Sequence, residues 1–123
     1  MTRINLVPPE ELTVKHLVAE YREITRLPSN LRKSLDRKTP FKMNEIPSEY
    51  TLGQGHVKFF YDKMLFLQKR FEQLVKEMLR RGYNPSYTDS SIFIPTDKKF
   101  YNDYVPTPEA LLVNRGRIKE RLK

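Results

Sequence analysis

A chain of 123 residues without cysteine can bury one modest core, and it cannot form disulfides, thiolate metal sites or a cysteine nucleophile. Its 23 Lys and Arg outweigh 15 Asp and Glu, and a net charge of +8 attracts polyanions, first nucleic acid and second an anionic membrane surface. Since the sequence has no N-terminal apolar run and no apolar stretch of the ~18 residues that span a bilayer, we expect one soluble, cytoplasmic domain over residues 1–123.

The first predicted elements are a short extended arm over residues 2–9 and a helix that follows it. The helix has two possible starts: Pro8 and Pro9 precede Glu10 and Glu11, acids suited to a first helical turn, and Thr13 is a second possible cap. Apolar residues at three- and four-residue steps then form one stripe, which consists of Leu17, Tyr21, Ile24, Leu31 and Leu35. Pro28 lacks a backbone donor, so the pattern predicts a kink or a split between Ile24 and Leu31.

A second helix follows the long polar connection over residues 36–55. Its apolar stripe runs from Val57 to Met78, and Gly82 is placed to end it, with Pro85 beyond. The sequence GQG before His56 matches neither a P-loop nor a dinucleotide fingerprint, and a tight loop that leads into this helix is the better interpretation.

The last predicted helix begins after an irregular, aromatic-rich segment over residues 83–106. Thr107 is its expected N-cap and Pro108 its first helical residue, and its second half is rich in Arg and Lys. No stretch alternates convincingly like a β-strand. The sequence therefore predicts an all-α fold, a single compact domain of three main helices with an N-terminal arm and long irregular connections.

One charged cluster on the first helix invites two interpretations. Arg22 and Arg26, four residues apart, repel each other by a few tenths of a kcal/mol, roughly, and Glu23 lies between them. At about 100° per residue, Glu23 shares a face with His16 and Arg26, and Arg22 lies at the edge of that face. Spacing alone favours a solvated face with a weak Glu23–Arg26 pair, and the alternative is a functional role for the acid between two arginines.

The N-terminus offers a possible nucleophile. If Met1 is removed, the free α-amine belongs to Thr2 and is followed by Arg3. An α-amine has a reference pKa of about 7.7–8.0, which nearby arginines lower further, and a neutral amine can form a Schiff base with a sugar carbon. The alternative is an inert N-terminus, as in nearly all proteins.

Taken together, these stretches resemble the endonuclease V-type pyrimidine-dimer DNA glycosylase/AP lyase family. The resemblance covers essentially the whole chain and is carried by MTRINL, HLVAEYRE, LGQGHVKFFYDKMLFLQKR, RRGYN, DYVP and RGRIKER. It implies a compact three-helix domain with the arm threaded between the first two helices. It further implies excision of damaged pyrimidines, such as UV dimers, from double-stranded DNA and cleavage of the abasic site by β-elimination, performed by a monomer without cofactor or metal.

The resemblance also implies residue roles. The N-terminal nucleophile of the family falls on Thr2 and its catalytic carboxylate falls on Glu23. The arginines with which the family grips phosphates fall on Arg3, Arg22, Arg26 and Arg117, and Arg121 matches in type a basic residue late in the last helix.

Two other function classes are compatible with the composition. One is a non-catalytic, basic helical module that binds DNA or RNA, for which a retained Met1 or an acetylated N-terminus would be evidence. The other is a peripheral membrane protein, which the first helix disfavours because it has no bulky apolar face free for lipid.

Overall fold

The computed structural model describes residues 3–53 and 55–121, and this part of the chain is helical without β-strands. The helices, in chain order, are α1 (Val14–Ile24), α2 (Arg26–Leu35), the short α3 (His56–Phe59), α4 (Met64–Arg80) and α5 (Pro108–Arg121). Short 3-10 turns lie at Pro9–Glu11, Met43–Glu45, Ser90–Phe93 and Lys98–Phe100. The predicted all-α class is confirmed.

The first predicted helix is split, as Pro28 suggested, but the interruption lies at Thr25. The N–H of Thr25 bonds to the carbonyl of Glu23, and its hydroxyl donates to the carbonyl of Arg22 at 3.0 Å. Pro28 then occupies the first turn of α2, where a missing N–H costs no intrahelical bond. The split adds a helix to the three expected.

The prediction of one continuous helix from Val57 to Met78 is wrong near its start, because the chain leaves helical geometry between α3 and α4. Phe59 and Phe60 are adjacent in sequence and would point about 100° apart on one helix. Both are buried, and their rings pack edge-to-face at 5.0 Å. Both rings therefore lie in the core, where Phe59 also packs against Tyr104.

Side chains satisfy the carbonyls that this break frees. Lys63 Nζ donates to the carbonyl of Phe59 at 2.9 Å, and Asn102 Nδ2 donates to the carbonyl of Asp62 at 2.8 Å. A nearby lysine and a distant asparagine therefore replace helical hydrogen bonds that are missing here, and a periodicity argument detects neither contact.

The predicted ends of the later helices are confirmed. After α4, Gly82 adopts φ 88°, its N–H bonds to the carbonyl of Leu79, and the N–H of Tyr83 bonds to the carbonyl of Met78, which is a Schellman motif. At the start of α5, the Thr107 hydroxyl accepts the N–H of Ala110 at 3.0 Å.

The core fills the space between these helices and includes the extended arm. Ile4 and Val7 have no exposed surface, although they lie near the N-terminus. None of the helices in residues 3–53 and 55–121 is both long and apolar enough to cross a membrane. The arm is thus an internal element of the fold, which brings the start of the chain to the site described next.

Candidate active site

A cavity of about 270 Å³ opens between the arm, α1 and α5. It is lined by Arg3, Asn5, Lys15, His16, Ala19, Glu23, Arg117, Ile118 and Arg121. The lining carries several cationic groups around one carboxylate, Glu23. This composition suits an anionic ligand.

Helix α1 forms one wall of the cavity, because the helical repeat places three of its lining residues on the same face. His16, Ala19 and Glu23 stand at positions i, i+3 and i+7, which lie above one another on a helix. Thr13 begins the helix by accepting the N–H of His16, so the second of the two predicted starts is confirmed, and the first, at residues 8–11, is wrong because Pro9–Glu11 forms only a separate 3-10 turn. Ala19 is small, which leaves room between the two larger side chains.

Helix α5 contributes the opposite wall. Arg117 and Arg121 stand four residues apart and therefore lie on one face. The helix is held against the arm by Asn114, which has no exposed surface and whose Oδ1 accepts the N–H groups of Leu6 at 2.6 Å and Val7 at 3.1 Å. The arm thereby sets the position of both arginines.

Glu23 is bound directly to the arm. Its Oε2 accepts the backbone N–H of Arg3 at 2.8 Å, and this N–H belongs to the peptide bond between residues 2 and 3. The Arg3 guanidinium donates from Nη1 to the carbonyl of Leu52 at 2.6 Å. The carboxylate is therefore bonded to the first peptide N–H of the described chain.

The cationic groups perturb one another. Burial lowers the pKa of Arg3, and the neighbouring Arg117 and Arg121 lower it further, while Glu23 acts in the opposite direction. Burial likewise lowers the pKa of His16, as do the charges of Lys15 and Arg121. A bound anion would relieve this repulsion.

Arg117 has an unused donor at the cavity wall. Its Nε is buried and has no hydrogen-bond partner among the residues that the structure describes, and its Nη1 lies 3.8 Å from an oxygen of the mostly exposed Glu120. A buried N–H without a partner is unfavourable, so an acceptor that entered the cavity would stabilise it.

The sequence-predicted site residues do not all converge. Four of them line the cavity, namely Arg3, Glu23, Arg117 and Arg121. Arg22 is exposed and lines a different cavity of about 380 Å³, together with Tyr21, Thr25, Ser86, Tyr87 and Ile92. Arg26 is exposed at the start of α2, after the interruption at Thr25, and it does not line the cavity that contains Glu23. Thr2 lies outside the described residues.

Sequence reasoning missed a buried polar network beneath the cavity. Arg70 on α4 donates to both carboxylate oxygens of Glu20 on α1, at 2.7 and 2.9 Å, and Nδ2 of Asn5 donates to the same carboxylate at 2.8 Å. A signal was present, because Glu20 falls between Leu17 and Ile24 in the apolar stripe, three and four residues away. A charge at a core position of a helix indicates a buried partner.

A family model described as pyrimidine dimer DNA glycosylase matches residues 1–91, which is 91 of the 123 residues. The matched region includes the arm and helices α1 to α4. Helix α5, which supplies Arg117 and Arg121 to the cavity, lies beyond it.

Proposed function

Because the chain belongs to the pyrimidine dimer DNA glycosylase family, we propose that it excises pyrimidine dimers from double-stranded DNA and then nicks the resulting abasic site. The observation that carries the proposal is the bond from the Arg3 N–H to Glu23 inside a cationic cavity. It supports a site in which the start of the chain, a carboxylate and phosphate-binding arginines act together.

The proposed nucleophile is the α-amine of Thr2, exposed by removal of Met1. The nitrogen of residue 2 is three covalent bonds from the Arg3 nitrogen, so the bond to Glu23 restricts how far the amine can lie from the carboxylate. The neutral amine attacks C1′ of the damaged nucleotide, a C–N bond forms, and the base leaves with the electron pair of the N-glycosidic bond. Loss of a proton from nitrogen and opening of the sugar ring give an imine.

Glu23 has two roles in the proposed reaction. While the glycosidic bond breaks, positive charge develops on the sugar, and a fixed carboxylate beside it stabilises that charge. Protonation of the imine makes the 2′ protons acidic, and Glu23 acts as the base or relay that removes one of them. The enamine so formed expels the 3′ phosphate from C3′, and water then hydrolyses the imine to release the amine.

The arginines act on the phosphates that flank the lesion. Arg3, Arg117 and Arg121 line the cavity, and Arg22 and Arg26 extend the positive surface along α1 and α2. Their mutual repulsion is relieved when phosphates bind. Access to the sugar requires the duplex to be kinked or a base to be extruded, which costs less at a distorted lesion.

Borohydride trapping tests the covalent step. Borohydride reduces an imine to a stable amine, so the mature protein should become cross-linked to a duplex that carries an abasic site. Mass spectrometry of the digested adduct should place the cross-link on the Thr2 amine. Protein that retains Met1, or that is acetylated on Thr2, should not be trapped.

Two outcomes would contradict the proposal. A cross-link on an internal lysine would refute the assignment of Thr2. Tight, salt-dependent DNA binding without trapping or cleavage would instead indicate a non-catalytic basic module.

A further inference from the structure

We propose that His56 is a positioning residue for this reaction, which fixes the backbone of Ile4 and so holds the start of the chain at Glu23. The inference rests on the proposed function, since it assigns a role in placing the Thr2 amine. Its basis is a chain of hydrogen bonds around the arm.

The arm has extended backbone but no neighbouring strand, so its polar groups need other partners. Side chains supply them from four parts of the fold. Glu23 accepts from the N–H of Arg3, His56 from that of Ile4, and Asn114 from those of Leu6 and Val7, while Arg70 donates to the carbonyl of Val7. The arm's register thus depends on side chains remote in sequence.

His56 makes the contact next to the catalytic carboxylate. Its Nε2 accepts the Ile4 N–H at 2.8 Å, one residue along the chain from the N–H that Glu23 accepts. The Tyr50 hydroxyl donates to the carbonyl of the same Ile4 at 2.9 Å. Both polar groups of Ile4 are therefore held by side chains, and rotation of the arm about this residue would break a buried bond.

The second nitrogen of His56 determines its chemical state. Nδ1 lies 2.7 Å from the carbonyl oxygen of Thr51, which can only accept, so Nδ1 must carry a proton. Nε2 must then be unprotonated in order to accept from Ile4. Only the neutral tautomer protonated on Nδ1 satisfies both contacts, and the imidazolium would present a proton to the Ile4 N–H.

The surroundings of His56 favour this neutral state. The ring is buried and packs edge-on against Tyr50 and Phe60. The positive charge of Arg3 also disfavours the imidazolium. Gly55 precedes the ring with φ 92°, a conformation that side chains rarely adopt, so Gly55 turns the chain into α3 and directs His56 at the arm.

Two substitutions of His56 distinguish a role in positioning the arm from a role in filling space in the core. His56→Leu removes the acceptor, while His56→Gln places an amide oxygen near the position of Nε2 and restores it. For each variant we would measure the single-turnover rate of borohydride trapping on an abasic-site duplex at saturating enzyme, the Kd for an abasic-analogue duplex, and thermal unfolding.

We expect His56→Leu to slow trapping about 10-fold, because a small misplacement of a nucleophile is costly, while the Kd stays within about 2-fold. His56→Gln should recover most of the rate. Tyr50→Phe removes the other bond to Ile4 and should slow trapping about 3-fold, the loss expected for a single neutral hydrogen bond. Tyr61→Phe is the control, since Tyr61 is also buried but packs its ring against Phe41, and no hydrogen bond of its hydroxyl is found among the residues that the structure describes.

The results distinguish the two proposals. If the wild type is not trapped, the proposed function fails and the positioning role fails with it. If the wild type is trapped and both His56 variants react at its rate, or both are slowed equally at temperatures where they are folded, the positioning role alone is overturned.

Discussion

The backbone N–H of Arg3 donates to Oε2 of Glu23 at 2.8 Å, which joins the start of the chain to the middle of helix α1. Glu23 therefore has a structural contact as well as a proposed chemical role. Because any substitution that removes the acceptor also releases the arm, tests of the charge must keep an oxygen in place.

Glu23→Gln meets this condition, because the amide oxygen can still accept from Arg3. We expect glycosylase and lyase activity to fall by at least ~10²-fold, since the fixed negative charge and the base are lost. Binding to damaged DNA should be unchanged or tighter, as an anion near phosphate has been removed. Glu49→Gln, which changes an exposed carboxylate outside the cavity, is the control. Cleavage of irradiated DNA at the wild-type rate would mean that the carboxylate is only a surface charge.

Arg117→Ala tests whether α5 faces DNA. One lost phosphate contact makes the slope of log K against log salt shallower by about 0.9 and weakens binding at moderate salt. Single-turnover cleavage at saturating enzyme should fall less than affinity does. Arg117→Lys should restore only part of the binding, since lysine cannot bind phosphate with two donors.

Lys119→Ala is the matched control for this measurement. It removes the same charge from the same helix, but Lys119 is exposed and does not line the cavity. A salt titration on an abasic-analogue duplex compares the variants. Equal slopes for wild type and Arg117→Ala, with equal affinities, would show that the arginine does not contact phosphate.

Glu20→Gln tests the buried ion pair beneath the cavity. It keeps an acceptor for Asn5 but leaves the Arg70 charge, which is 2% exposed, without its partner. We expect the free energy of unfolding to fall by about 3–5 kcal/mol, the usual cost of breaking a buried pair from one side. Chemical denaturation measures it.

Lys69→Met provides the comparison, on α4 beside Arg70. Lys69 pairs with Asp103 at 2.6 Å, but both side chains are about half exposed, and such pairs contribute about 1 kcal/mol or less. Similar losses for Glu20→Gln and Lys69→Met would refute the importance assigned to the buried pair.

Because His56 is buried in its neutral form, we expect the stability of the protein to fall at acidic pH. Burial lowers the pKa of His56 from 6.5 to about 4, so between these values the unfolded chain binds a proton that the folded protein does not. The contribution of His56 to the free energy of unfolding is therefore fully present above about pH 6.5. It is lost as the pH drops towards 4, by up to about 3 kcal/mol in total. Glu77, whose pKa is lowered to about 2 first by its bond to Arg80, loses its contribution mainly below this interval.

Comparison with His56→Gln isolates this effect, because the variant lacks the titrating ring and keeps the acceptor. Denaturation midpoints between pH 7 and pH 4.5 should fall less steeply for the variant than for the wild type. His16, whose pKa is also lowered, contributes equally to both curves and cancels. Parallel curves would contradict the neutral, buried state of His56.

The amino-acid sequence by itself determined most of the helical structure and one wall of the site. The three- and four-residue spacing of apolar side chains indicated α1 and α4, while Thr107 and Gly82 marked helix ends. The same spacing placed His16 and Glu23 on one face, and both line the cavity. These features are local, because caps and helical periodicity depend on residues within a few positions of one another.

Only the tertiary structure decided which side chains lie opposite the wall that α1 forms. Asn114 bonds to Leu6 across 108 positions, and this contact brings Arg117 and Arg121 to Glu23 while Arg22 and Arg26 lie elsewhere. The break after Phe59 and the contact of His56 with Ile4 likewise depend on partners from distant segments. Such contacts form because buried polar groups must find partners and aromatic rings must fill the core, and a single sequence does not specify which distant residues meet.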